Sequence, residues 1–276
     1  MPDVPSLTMN DGRIIPQLGV GVFQVPAEDT ERNVLDALEL GYRSIDTAWG
    51  YFNEEGVGRG VAASGLARDE VFVTTKVWNS YQGREKTIES FEGSLERLGF
   101  DRLDLLLIHW PAPANELYLE TWETFVELRD SGRVSSIGVS NFQPAHLGHI
   151  IRETGVVPVL NQIELHPYLP QHELQEFHRA HGILTEAWGP IARGKVADDP
   201  TLVEIGRSHG VSPVQVTIRW ELQQGIVVIP KSVHRERLAS NLDVFDFELS
   251  AEEMAAIDAL DAGEEGRTGP HPDTFS

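Results

Sequence analysis

The chain contains no cysteine. That excludes disulfide scaffolds, thiolate metal sites and cysteine nucleophiles. Lysine is scarce: of 22 cationic residues only four are lysines, at Lys76, Lys86, Lys195 and Lys231. No apolar run approaches the length of a membrane span, and the opening MPDVPSLTMNDG has neither the basic start nor the apolar stretch of a secretory signal. A soluble, cytoplasmic protein is the expectation. No G-x-G-x-x-G follows a strand: GVGRGVAASG at 56–65 comes after Asn-Glu-Glu, a helix start, so a doubly wound dinucleotide fold is not expected. A phosphate-binding P-loop and a G-x-S-x-G nucleophile turn are missing as well.

What is present is acidic. Asp and Glu number 43 against 22 Lys and Arg, a formal charge of -21 over 276 residues. Such a surface repels nucleic acid and anionic membranes, and neither is an expected partner. A hydrophobic share of 41% with 24% charged residues is that of a globular protein. The length suits two ordinary domains or one (β/α)₈ barrel of roughly 250 residues.

The pattern along the chain decides for the barrel. Short apolar runs rich in β-branched residues occur at 42–48, 71–77, 103–110, 135–140, 159–165, 183–189 and 226–232, with an eighth at 16–24. Continuous apolar runs suit parallel strands buried on both faces. Amphipathic stretches of helical period lie between them, several stopped by glycine. One α/β domain over 1–276, a (β/α)₈ TIM barrel, is therefore expected. Ahead of it, LTMNDGRIIP reads as a hairpin around Asn-Asp-Gly that covers the bottom of the barrel. The tail GEEGRTGPHPDTFS reads as a short loop.

In a barrel the C-terminal strand ends share one mouth, where active sites form. Asp46, Lys76, His109, Ser140, Asn141, Gln162, Trp188, Lys231 and Ser232 all fall at such ends. A tyrosine, with a pKa of about 10, donates a proton poorly unless a cation stabilises its phenolate. Lys76 supplies the cation for Tyr51, Asp46 pairs with Lys76, and His109 can hydrogen-bond the oxygen that Tyr51 protonates. That is a general acid beside an oxyanion site, as carbonyl reduction requires. Each residue alone has a plainer account as a cap, an ion pair or core packing; only their convergence argues otherwise. A second cluster, KSVHRERLASN at 231–241, gathers Lys231, Arg235 and Arg237 at a helix start, where a phosphate monoester such as the 2′-phosphate of NADP would sit. Its plainer account is a set of surface ion pairs. The pairs His146/His149 and His178/His181 lack a completing carboxylate and are expected to be exposed, with no metal site.

The segments GYRSIDTAWGYFNEEGVG, TTKVWN, LLLIHWP, SIGVSNF, NQIELHPYL and IPKSVHRERLASNLDVFDFELS resemble, in order and spacing, the aldo-keto reductases. The likeness spans essentially the whole chain, and with the tail HPDTF it most resembles the bacterial 2,5-diketo-D-gluconate reductase branch. It implies a monomeric barrel that binds NADPH across its mouth and reduces aldehydes and ketones, including dicarbonyls or keto sugar acids. By resemblance Tyr51 is the proton donor, tuned by Lys76 and Asp46, and His109 orients the carbonyl. Ser140, Asn141 and Gln162 hold the nicotinamide carboxamide, and Trp188 stacks on the ring where many relatives have tyrosine. The loop from Gly189 through Ile191 to Lys195 lies over the pyrophosphate. Lys231, Ser232, Val233 and Arg237 meet the 2′-phosphate region and Asn241 the adenine, while Arg235 is left outside this set. Phe23, Trp49, Phe52, Trp78 and Trp110 wall the substrate pocket together with the tail, and the bulk of Trp49 and Phe52 narrows it. Two other readings stay open. One is a non-catalytic NADPH-binding sensor on the same fold; the other is a hydrolase or isomerase with a Lys–Asp–His centre, which leaves the 231–237 cluster unexplained.

Overall fold

The computed structural model describes residues 4–276. Strands β1 (Ser6–Thr8) and β2 (Ile14–Pro16) pair antiparallel, forming the expected hairpin. Eight parallel strands follow: β3 (Val20–Gly21), β4 (Ser44–Asp46), β5 (Phe72–Val77), β6 (Leu103–Ile108), β7 (Val134–Ser140), β8 (Leu160–Glu164), β9 (Leu184–Trp188) and β10 (Val227–Val228). Each pairs with the next in chain order. The ring closes where Leu18 bridges Val228: Gly19 N donates to Val228 O and Val228 N to Gln17 O, both at 2.9 Å. The architecture is the expected (β/α)₈ barrel. Strand β10 is shorter than its apolar run, because Pro230 has no N–H to extend the ladder. Gln17 reinforces the seam, its Nε2 donating to the Leu222 and Ile226 carbonyls at 2.8 and 3.2 Å.

The outer ring comprises α1 (Ala27–Leu40), α2 (Glu54–Ala63), α3 (Arg84–Leu98), α4 (Tyr118–Asp130), α5 (Pro144–Thr154), α6 (His172–His181), α7 (Pro200–His209), α8 (Pro213–Gln223) and α9 (Arg235–Leu242). The first eight sit where the periodicity places them, and α9 begins inside the basic cluster. A further helix, α10 (Ala251–Asp258), is absent from the sequence expectation. Only its Ile257 is buried, so its helical period is faint; its signature is instead the capping box in which Ser250 Oγ accepts from Glu253 N and Ser250 N donates to Glu253 Oε2.

Alternate residues of each strand face the barrel interior. At the bottom Met9 and Ile15 of the hairpin pack with Leu105, Leu107, Leu160 and Val227, and Asn10 Nδ2 donates to the Pro158 carbonyl at 2.9 Å. Burial of each of the two hairpin side chains is worth about 1.5–3 kcal/mol. That end of the barrel is largely hydrocarbon, with Ser136 Oγ donating to Asp11 of the hairpin at 2.6 Å, and the ionisable interior side chains Asp46, Lys76 and Glu186 lie toward the other.

Candidate active site

Above the apolar plug lies a layer of four polar side chains, Asp46, Lys76, Gln162 and Glu186, none more than 3% exposed. They come from β4, β5, β8 and β9 at the same height. Lys76 Nζ lies 2.6 Å from Asp46 Oδ1, donates to the Thr47 carbonyl at 2.9 Å, and reaches the Tyr51 hydroxyl at 3.4 Å. Gln162 Nε2 donates to Asp46 Oδ2 and to Glu186 Oε2, both at 2.8 Å. Burial works against the Lys76 charge, yet Asp46, Tyr51 and Glu186 together outweigh it and raise the ammonium's pKa. The lysine is charged at every physiological pH.

Tyr51 ends a short 3₁₀ turn over Trp49–Tyr51 that leaves β4. Asn53 fixes this loop, its Oδ1 accepting from Thr47 Oγ1 at 2.8 Å and its Nδ2 donating to the Val22 carbonyl at 2.9 Å. The phenol is half-buried with its hydroxyl inward. Burial pushes its pKa up to about 12, with Lys76 pulling the other way. The sequence alone has Lys76 making Tyr51 more acidic; that pull is present, but the loss of water around the phenolate is larger. His109 closes the group, its ring centroid 5.6 Å from that of Tyr51 and edge-on to it. Burial, then the Lys76 charge, holds the imidazole well below its ordinary pKa, so it is neutral.

Toward the mouth, Ser140 Oγ donates to the Gln162 carbonyl at 2.8 Å. Asn141 takes a left-handed backbone, φ 64°, which asparagine tolerates better than most residues. Its Nδ2 donates to the His109 carbonyl at 2.9 Å, and its Oδ1 accepts from Trp188 Nε1 at 2.8 Å. The indole is thus clamped by its edge, leaving a face free for a planar ring. Gly189 and Ile191 start a loop with left-handed backbone at Gly189, Ala192, Arg193 and Gly194. Beyond β10, Lys231, Val233 and Arg237 are exposed, whereas Ser232 and Asn241 are buried. Arg235 is engaged elsewhere, by Asp36 at 2.5 Å and Glu39 at 2.8 Å. Arg235 is thus tied to the acidic side chains of α1.

The aromatic side chains divide into two groups. Phe23 packs on Tyr51 with centroids 5.0 Å apart, Trp78 on His109 at 4.9 Å, and Trp110 on Trp188 at 6.4 Å. Trp49 instead packs at a tilt on Tyr81, centroids 4.5 Å apart, and on Phe52 at 5.5 Å, and Phe52 is 75% exposed. Three residues at the site escaped the sequence reading. Phe275 of the tail lies 4.6 Å from Trp110. Glu164, fully buried, accepts from Thr268 N and Oγ1 at 2.6 Å and from Gly269 N at 3.0 Å. Glu186 completes the polar layer; a carboxylate two positions before Trp188 on an inward-facing strand was the signal. The histidine pairs need correction. His146 and His178 are buried, because His146 Nδ1 caps α5 by accepting from Gln143 N, and His178 bridges Asn161 and Thr185 between α6 and the barrel wall.

An aldo-keto reductase of Mycolicibacterium smegmatis is 54% identical over 272 residues, covering 99% of this chain and 98% of its own. The methylglyoxal reductase DkgA of Escherichia coli is 46% identical over 271 residues, covering 98% and 97%. Among solved structures, an aspartate-to-alanine mutant of Gox0644 in complex with NADPH is 49% identical, superposes with a TM-score of 0.96, and covers the whole of both chains. The Aldo/keto reductase family profile matches residues 17–262. The chain belongs to the aldo/keto reductase family.

Proposed function

We propose that the chain reduces small, uncharged dicarbonyls of the methylglyoxal kind, with NADPH as the reductant. The observation that carries this reading is Lys76 Nζ set between Asp46 and the Tyr51 hydroxyl in a layer closed to water. The residues present fit the cofactor. The clamped indole of Trp188 offers a stacking face, Ser140, Asn141 and Gln162 offer amide and hydroxyl groups beside it, and exposed Lys231 and Arg237 suit a phosphate in an otherwise acidic protein. When bound, NADPH supplies the hydride that the protein itself cannot.

The protein's share is alignment and proton delivery. Neutral His109 is a hydrogen-bond donor to the carbonyl oxygen and does not compete as an acid. Tyr51, protonated at neutral pH, gives its proton to the alkoxide as charge builds there. The phenolate left behind faces the Lys76 ammonium, which needs no reorganisation because Asp46 already holds it. Phe23, Trp78, Trp110 and Phe275 line the approach to Tyr51 and His109 with apolar rings and bring no cation to it, which favours an uncharged substrate over a keto acid.

The test follows NADPH consumption with methylglyoxal, simple aldehydes and a diketo sugar acid, in wild type and Tyr51→Phe. Turnover of methylglyoxal that collapses in the mutant while NADPH still binds supports the reading. Tight NADPH binding with no turnover on any carbonyl replaces it with the sensor reading.

A further inference from the structure

Glu186 takes no part in the proton delivery just described, yet it is 1% exposed inside the same layer. On β9 it faces inward between Leu184 and Trp188. Its partner on β8 is Gln162 and on β10 Val227, which carries no charge. Across the barrel it faces Asp46 on β4 and Lys76 on β5, with Tyr51 above them.

Two consequences follow from that position. An amide nitrogen has two protons, and those of Gln162 go to Asp46 Oδ2 and Glu186 Oε2, 2.8 Å each. The orientation of the amide is thereby fixed, with Oε1 as its remaining free end. The second consequence concerns charge. Two ionised carboxylates against one ammonium leave an unbalanced negative charge out of water, which is costly. A proton on Glu186 restores the balance.

We infer that Glu186 is a positioning residue: it locks Gln162 so that its carbonyl meets the cofactor carboxamide, and it must hold a proton for the Tyr51 phenolate to form. This rests on the proposed NADPH reading. Burial first, then Asp46, pushes the Glu186 carboxyl up to about 8, so that it is protonated at neutral pH and ionises in mild alkali. Once ionised it opposes a phenolate at Tyr51 and so slows reduction.

The experiment compares wild type with Glu186→Gln and Glu186→Leu. NADP⁺ and NADPH affinities are read by quenching of tryptophan fluorescence, and kcat for carbonyl reduction is followed against pH. Glu186→Gln keeps an acceptor for Gln162 but cannot ionise. It is expected to hold cofactor affinity within about threefold and to lose the fall in kcat that wild type shows above about pH 8. Glu186→Leu is expected to weaken cofactor binding about tenfold, the loss of one well-placed hydrogen bond. An alkaline fall unchanged in Glu186→Gln, or wild-type affinity in Glu186→Leu, overturns the inference. Should Glu186→Leu not fold, the pH profile of Glu186→Gln decides alone. A wild type that neither binds NADPH nor reduces carbonyls fails at the proposed function instead, which separates the two.

Discussion

Glu164, the last residue of β8, accepts the backbone N–H and the hydroxyl of Thr268 at 2.6 Å, joining positions 104 residues apart. The latch sets the tail on the barrel mouth. Just beyond it Gly269 lies so close to Trp188 that an added Cβ would be 2.5 Å from the indole Cη2, and Phe275 covers Trp110. One buried carboxylate thus places both Phe275 against Trp110 and Gly269 against Trp188.

Glu164→Gln should release the tail. Burial opposes the Glu164 charge, but hydrogen bonds from His166, Thr268 and Gly269 overcome it and hold the carboxyl at about 2, against an ordinary 4.5. A depressed carboxyl contributes stability that is present above its unfolded value and lost as pH falls toward the folded one. The gap in Tm between wild type and the variant should therefore be full at pH 7 and shrink between about pH 4.5 and 2. A pH-independent gap would show that the charge is irrelevant. At neutral pH, limited proteolysis should cut after residue 262 in the variant first.

Tyr51→Phe removes the proposed proton donor and little else. Loss of a general acid lowers kcat by roughly 10²–10⁴-fold. NADPH affinity should stay within about threefold, since no cofactor-facing hydrogen bond is removed. A residual rate within tenfold of wild type would assign the proton to another group.

Lys76→Met leaves Asp46 buried without its cation. Breaking a buried pair in this way costs about 3–5 kcal/mol, so a large fall in Tm should accompany the loss of activity. Lys76→Met combined with Asp46→Leu should recover much of the stability and none of the turnover. Denaturant unfolding of the single and double variants checks this.

Arg235 and Arg237, two positions apart, should behave differently. Arg237→Ala is expected to weaken NADPH about tenfold and leave NADH unchanged. Arg235→Ala, whose guanidinium is committed to Asp36 and Glu39, should leave the NADPH-to-NADH ratio where it was. Equal effects of the two substitutions on that ratio would remove the distinction.

The barrel was legible because its strands are buried on both faces and so read as unbroken apolar runs. The convergence of Asp46, Lys76, His109 and Tyr51 was legible because the first three each sit where such a run stops or just beyond it, with Tyr51 shortly after Asp46. What the sequence hid depends on contacts between distant segments. Glu164 lies in an apolar run and looks like a strand end, until Thr268 is folded onto it. Phe275 stands in an aperiodic tail, held by that latch and by its packing on Trp78 and Trp110. Glu186 could have been found by parity, since Leu184, Glu186 and Trp188 share one face of β9. The burial of His178 follows from Asn161 and Thr185, outward-facing residues of two strands that no helical pattern of α6 contains.

The seam between Leu18 and Val228 also sets a timetable for synthesis. The edge of β3 is made within the first tenth of the chain, while the residues that cover it come from its final fifth. At ribosomal speeds of about 5–20 residues per second, the interval is roughly 10–40 s. Throughout it the nascent barrel is an open sheet with a bare edge, the form most prone to pairing with another chain. A chain ended before residue 226 should accordingly precipitate where the full one does not. The surplus of acidic side chains, a formal charge of -21, opposes such pairing through like-charge repulsion.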